Sequence, residues 1–308
     1  MTLREQVLQL YTPIYDEFML ESFAEEKQVN PIIYDSIDDK TSEFRTDSLS
    51  GVGLWEDADE GAGGNYDEPV LGYSKTFSQG DGKRRKRIKA SWESVDQDEY
   101  VLMKKVGLAE ELGRGGRATV EKHCANYLSD GFATTGPDGQ YIFDADHPKN
   151  AEETGITYDN LLSGAFSHDN LEAAETEITN NFIGADGIPI MPDEDPLLVY
   201  PPALRGAVAR VLDERATERP GTANRDTNRF AGRYRPVEWR WLAAAFGGSD
   251  TAWFIIYPSM KMLKIIWNAK PHFNSWIDYE NEFYIWSGRM LYDYGCTNWR
   301  FGFGSTGL

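Results

Sequence analysis

The sequence predicts an α+β fold, and three observations carry that reading. From Asp96 to Ser129, residues Tyr100, Met103, Val106, Leu112, Val120, Cys124 and Tyr127 fall near helical spacing. From about Arg233 the chain becomes strongly β, with aromatic and β-branched runs that alternate with polar residues. No repeat period runs through the 308 residues, which excludes solenoids and propellers.

The N-terminal residues 3 to 29 read as a moderately amphipathic helical segment, with Leu3, Val7 and Leu10 on one face and Pro13 interrupting it early. Asn30-Pro31 ends it, and "PIIYDSIDD" is a candidate strand. Residues 41 to 91 are rich in Gly, Ser and charge and poor in aliphatics. Leu71, Tyr73, Lys75 and Phe77 alternate there, Asp81-Gly82 is a turn signal, and Arg87, Lys89 and Ser91 follow. This reads as a long two-stranded hairpin projecting from the body, with the basic run on its return strand. A weakly apolar hairpin cannot bury itself and needs another surface to lie on.

The long helix has a capping-box-like start at Asp96 and Glu99. Gly113, Gly115 and Gly116 interrupt it, at about 1 kcal/mol each relative to Ala. Either the helix bends there or a second backbone packs very close. "GFATTGPDGQYIFDADHP" is turn-rich. A second helix from Asp169 to Asn181 carries Leu171, Ala174, Ile178 and Phe182 on one stripe. "LLVYPPALRGAVARVLDERA" reads as a buried strand, a Pro-Pro junction and a helix with Pro202 near its first turn. "VEWRWLA", "TAWFIIY" and "MLKIIWN" are strand-like, and the alternation after Phe273 is broken by a turn at Ser287-Gly288, with Ile277, Tyr279, Phe283 and Ile285 sharing one face.

Composition bounds the function. The chain carries 31 Lys and Arg against 50 Asp and Glu, a formal net charge of −19. Such acidity opposes general adhesion to nucleic acid, which is driven by Lys and Arg displacing counterions. Hydrophobic residues make up 41% and aromatics 13%, enough for one large domain or two. No apolar run reaches the roughly 18 residues of a membrane helix, and the N-terminus lacks the pattern of a secretory signal. Two distant cysteines, Cys124 and Cys296, fit buried free thiols in a reducing compartment.

The exception to the acidity is "GDGKRRKRIKA", in which Lys83, Arg84, Arg85, Lys86, Arg87 and Lys89 cluster. A nuclear address, a nucleic-acid patch and a contact for an acidic surface all fit that composition. Catalytic signals are sparse. The four histidines lack metal-like neighbours, and His123 and Cys124 point about 100° apart on a helix. Asp144, Asp146 and His147 form either a carboxylate–histidine sketch or a polar turn fixed by Pro148. "MPDEDP" lacks the Gly and terminal Glu of a calcium loop. Asp278, Glu280 and Glu282 on one strand face either serve a carboxylate-dependent hydrolase or are the wet side of a sheet. "GRGG" lacks the Lys-Ser/Thr of a phosphate loop. No cofactor, metal or catalytic set is expected. The weight falls on a protein that works through surfaces.

In order, the charged hairpin, the helix entered through "SWESVDQDEY", "GQYIFDADHP", "LLVYPPALRGAVARVL", the "ANRDTNRF" loop, "WFIIYP" and "MLYDYGCTNWRFGFG" resemble a tailed-bacteriophage major capsid protein of the Hong Kong 97 fold. The Mu-like major head subunits, with comparable "DADHP", "L-x-V-x-P-x-x-L" and "DYG" elements, are the most similar. The resemblance implies a Hong Kong 97-like α+β subunit: an N-terminal arm (about 1–40), an extended β-hairpin loop (41–91), a peripheral domain built from a spine helix (92–135) and a β region (260–308), and an axial domain (136–259). It implies hexamers and pentamers that form an icosahedral head around double-stranded DNA bound without sequence specificity. It also implies scaffold, portal and possible decoration partners, no membrane, and assembly in the host bacterial cytoplasm. Some relatives begin with a cleaved scaffolding segment; with Met1 at its start, this chain is expected to use a separate scaffold or none. Lys75, Lys83, Lys86 and Lys89 lie on the loop, yet no covalent crosslink is expected. A cellular nanocompartment subunit of the same fold is the alternative shell. In this setting the basic run is expected to dock on acidic surface of an adjacent subunit, with "WEDADEG" and "MPDEDP" as candidates, and the glycine trio to permit helix bending as the shell changes curvature.

Overall fold

A computed structural model describes residues 17, 19–24, 28–49, 54, 71–78, 82–91, 99–150, 154–190, 196–212 and 228–308. Residues 19–24 are helical, and a single turn, α1 (Asn30–Ile33), follows. Strands β1 (Asp35–Asp38), β2 (Glu43–Leu49), β3 (Leu71–Ser78) and β4 (Lys83–Ser91) come next, then the long helix α2 (Glu99–Ser129). Short strands β5 (His147–Pro148), β6 (Thr157–Tyr158) and β7 (Leu161–Leu162) lead to α3 (His168–Asn181), β8 (Leu197–Tyr200) and α4 (Arg205–Leu212). The remainder is β9 (Arg235–Glu238), β10 (Trp253–Ile256), β11 (Leu263–Asp278), β12 (Phe283–Cys296) and β13 (Gly302–Ser305).

Two sheets share one helix. The first has order β1-β11-β12-β4, and the second β7-β13-β10-β8-β9. Val120, Cys124, Ala125 and Leu128 of α2 enter a core with Val199, Phe254 and Ile256 of the second sheet and with Ile265, Trp267 and Tyr292 of the first. On the far side of the second sheet, Leu171, Ala174 and Ile178 of α3 pack on Leu198, Trp253, Ile255 and Phe303. Strand β10 therefore reads "WFII" without alternation, because helices cover both of its faces. Ser167 caps α3 by accepting the Asn170 N–H at 3.2 Å.

The structure corrects several sequence expectations. Strand β3 does not pair with β4. It pairs antiparallel with β2, while β4 pairs antiparallel with β12, so the basic run belongs to the main sheet rather than to a projecting hairpin. Gly82 is required by close approach: a Cβ there would lie 2.1 Å from the Tyr292 carbonyl oxygen. Ser287-Gly288 is not a turn but mid-strand, opposite Asn274 and Phe273. A Cβ on Gly288 would meet the Phe273 ring at 2.9 Å. The chain reverses instead at 279–282, where Glu282 has φ 55°. Ile277 faces Tyr284 and Ile285 faces Trp276, so Ile277 and Ile285 lie on opposite faces and Tyr279 lies in the turn. "PIIYDSIDD" splits into the α1 turn and β1, and only Arg235–Glu238 of "VEWRWLA" is strand. Pro202 opens a 3-10 turn that precedes α4. Strand β13 returns to the second sheet, so the C-terminal β region is split between both sheets.

A buried polar node, which periodicity did not reveal, fixes the N-terminal turn to the long helix. Glu121 accepts the Val29 and Asn30 N–H groups at 3.1 and 3.2 Å and the Trp239 indole N–H at 2.9 Å. Arg117 pairs with Glu121 at 3.0 Å and donates to Asn30 Oδ1 at 2.6 Å. Burial pushes the Glu121 carboxyl up, against the hydrogen bonds that favour its charge. Removing one member of a buried pair strands the other. Glu121→Ala should cost about 3–5 kcal/mol in denaturant unfolding, and a loss under 1 kcal/mol would show that the node is dispensable.

Candidate assembly surface

Strand alternation sorts the basic run into two sets. Ile88 and Ala90 face inward with Phe273, Tyr284 and Trp286, on the side of the sheet covered by Leu112 of α2 and by Met19. Arg84 and Lys86 share that side and line a cavity of about 450 Å³ together with Phe23, Leu112 and Gly115. Lys83, Arg85, Arg87 and Lys89 point the other way, and all four are exposed. Arg85 stands directly opposite Arg289 on β12, and Arg289 opposite His272 on β11. Like charges directly opposed on a sheet destabilise it by about 0.2–1 kcal/mol. Arg87 lies 5.6 Å from the centroid of the Trp276 ring, and Lys89 Nζ 4.5 Å from that of Phe283. Among the described residues, none of Lys83, Arg85, Lys86, Arg87, Lys89 and Arg289 has a carboxylate partner.

Helical hydrogen bonding continues through Gly113, Gly115 and Gly116, so the trio does not interrupt α2. Of the two readings, close approach of a second backbone is what the geometry contains at Gly113. A Cβ there would lie 2.3 Å from the Met19 carbonyl oxygen. A Cβ on Gly116 would meet the Phe23 ring at 3.5 Å, and the Arg117 guanidinium lies 5.5 Å from the centroid of that ring. A Cβ on Gly115 would meet nothing. Bending at the trio remains a proposal.

His147, Asp144 and Asp278 are held in local hydrogen-bond networks. His147 is fully buried between Asp138 Oδ2 at 2.5 Å and Asn160 Oδ1 at 3.0 Å, and stacks on Trp299 at 4.5 Å. Asn160 Nδ2 donates to the Ile142 and Trp299 carbonyls, and its Oδ1 accepts the Asp144 N–H. Asn160 Oδ1 can only accept, so His147 donates to it through Nε2. Its carboxylate is Asp138, not Asp144 or Asp146; Asp144 accepts the N–H groups of Tyr141 and Ala145. His123 contacts the Tyr292 hydroxyl at 2.7 Å. Cys124 and Cys296 are free and buried, with burial pushing both thiols up, Cys296 to about 11. Asp278 accepts from Glu280 N, Asn281 N and Asn281 Nδ2, and the last bond leads in holding it below the ordinary carboxylate range. It caps a tight turn rather than sharing a strand face with Glu280 and Glu282. No group of three metal-capable side chains occurs among the described residues. "WEDADEG" and residues 191–195 of "MPDEDP" lie outside the described residues.

Sequence spacing missed Arg289, because its partnership with Arg85 exists only in the sheet register. It also missed Arg300, a buried cation held by the Ile183 and Lys149 carbonyls at 2.7 and 3.0 Å.

Comparison with known proteins adds independent information. Residues 86–169 match the family described as Mu-like prophage major head subunit gpT. A search of curated proteins finds no match. The bacteriophage JBD30 procapsid subunit is similar over 99% of this chain and 76% of its own, at TM-score 0.52 and 16% identity. The capsid subunit of cyanophage P-SCSP1u is similar over 91% and 88%, at TM-score 0.59 and 10% identity. A virus-like particle from Pyrococcus furiosus is similar over 96% and 99%, at TM-score 0.50 and 10% identity. The shared property is the capsid fold.

The glycine environments make a paired expectation. Gly115→Ala should stabilise the subunit by about 1 kcal/mol through helix propensity, whereas Gly113→Ala should destabilise it by about 1–3 kcal/mol by overpacking. Equal shifts in urea midpoint for the two variants would contradict the notch at Gly113.

Proposed function

We infer that this chain is a major capsid protein of the Mu-like head-subunit kind, a structural protein whose copies assemble into the shell of a phage head. One coincidence carries the reading: the Mu-like head-subunit match at 86–169 lies inside a chain that has the capsid fold over 99% of its length. The match spans the second half of β4, the long helix, the His147 cluster and the start of α3. The matching family is described as one of head subunits, and His147 and Asp278 are committed to local hydrogen-bond networks.

In this reading residues 1–40 form the N-terminal arm, tied to the sheet at β1. The extended loop is shorter than the sequence implies, about 41–78, because 83–91 lie in the sheet. The long helix and the first sheet make the peripheral domain. The second sheet with α3 makes most of the axial domain, joined by the returning strand β13. The subunits group as hexamers and pentamers in a head that encloses double-stranded DNA, assembled in the host cytoplasm with portal and scaffold partners.

A cellular nanocompartment shell is the alternative, but the family match favours the phage head. A hydrolase built on Asp278 is not favoured, because that carboxylate is committed to its turn.

Electron microscopy of the purified protein, at rising concentration and with crowding agents, should show capsomers or closed shells. A chain that remains monomeric under all conditions would refute the assignment.

A further inference from the structure

We propose that the outer face of the β1-β11-β12-β4 sheet is a cationic platform that receives an acidic surface of a second copy. This rests on the capsid reading and deepens it by naming the contact. The platform is not the basic run as a whole. It consists of Lys83, Arg85, Arg87 and Lys89 with Arg289, five cations contributed by two adjacent strands. Arg84 and Lys86 are excluded by the pleat.

Three observations converge. First, among the described residues none of the five cations has a carboxylate partner. Where β4, β12 and β11 lie side by side, the positions of the face are basic, aliphatic, aromatic or neutral polar, with His272, Asn274 and Trp276 on β11, up to the last register, where Asp278 stands opposite Phe283 and is hydrogen-bonded into its own turn. Second, the sheet bears a cost that folding does not repay: Arg85 faces Arg289, a like-charge pair that a fold selected for subunit stability alone has no reason to keep. Third, the platform includes half-buried Phe283 and Ile285 and exposed Trp276, with cations over two of these rings. Aromatic and Arg anchors are what protein interfaces bury.

The occupant follows from charge. The chain is −19 overall, and the platform's five cations leave the remainder at about −24. Two copies therefore repel through most relative orientations. They attract where this platform meets the acidic remainder of a neighbour. Such a contact joins unlike surfaces, and unlike-surface contacts propagate into rings when the rotation closes. Duplex nucleic acid is the other polyanion to consider. A duplex carries its phosphates past both ends of a platform nine residues long, whereas an acidic protein patch is bounded.

The discriminating variant is Arg85→Glu. It turns the Arg85–Arg289 repulsion into attraction within the subunit, and it removes positive charge from the platform. Subunit stability and assembly should move in opposite directions: a higher Tm, and a roughly tenfold or greater rise in the concentration needed for shells by light scattering. Shell formation by the unaltered protein should also weaken as salt rises. Arg289→Glu should reproduce both effects from the other strand, which covers the case where one variant folds poorly. Unchanged assembly in both variants, with the unaltered protein forming shells, overturns the platform while leaving the capsid assignment intact. Shells of normal yield that retain less nucleic acid would also overturn it and assign the face to the genome. If the unaltered protein itself forms no shells, it is the capsid assignment that fails.

Discussion

The structure depends on one helix being shared by two sheets. Val120, Cys124 and Leu128 of α2 enter a core built from both β10 and β12 strands. Neither sheet closes its own core on that side, so the helix transmits the position of one to the other. The Glu121–Arg117 node pins the α1 turn and Trp239 to the same stretch of helix. In the proposed shell such stiffness matters, because assembly geometry is set by the angle between surfaces that lie far apart on one chain.

The second constraint is electrostatic. In the proposed shell, an acidic protein packed against copies of itself has to place attraction somewhere. The pleat of one strand offers a place for it. Alternate residues of β4 go to the core side as Ile88 and Ala90, and the intervening residues go to solvent as cations. A nine-residue segment thereby completes a sheet edge and displays charge at once.

Much of this was legible in the sequence. The long helix, the α3 stripe, the buried "WFII" strand and the order of motifs were readable because local periodicity decides them. The errors share one cause. Asp81-Gly82 looks like the turn of a hairpin and Ser287-Gly288 like a turn, since glycine there has a strong local meaning. The strand after Gly82 pairs with β12 instead of β3, with Gly82 making room for the Tyr292 carbonyl, and Gly288 is mid-strand, making room for the Phe273 ring. Those neighbours lie on other strands or far along the chain, so no local rule reports them. The same holds for Arg289, whose place opposite Arg85 is a matter of register, and for Asp138, which displaced Asp144 and Asp146 as the partner of His147.

The most direct measurement is a cryo-electron-microscopy map of the assembled particle at side-chain detail. The expected result is a closed shell in which the face bearing Lys83, Arg85, Arg87, Lys89 and Arg289 is covered by carboxylates of a neighbouring subunit. A shell in which that face lies open to solvent, or lines the interior against packaged nucleic acid, would contradict it.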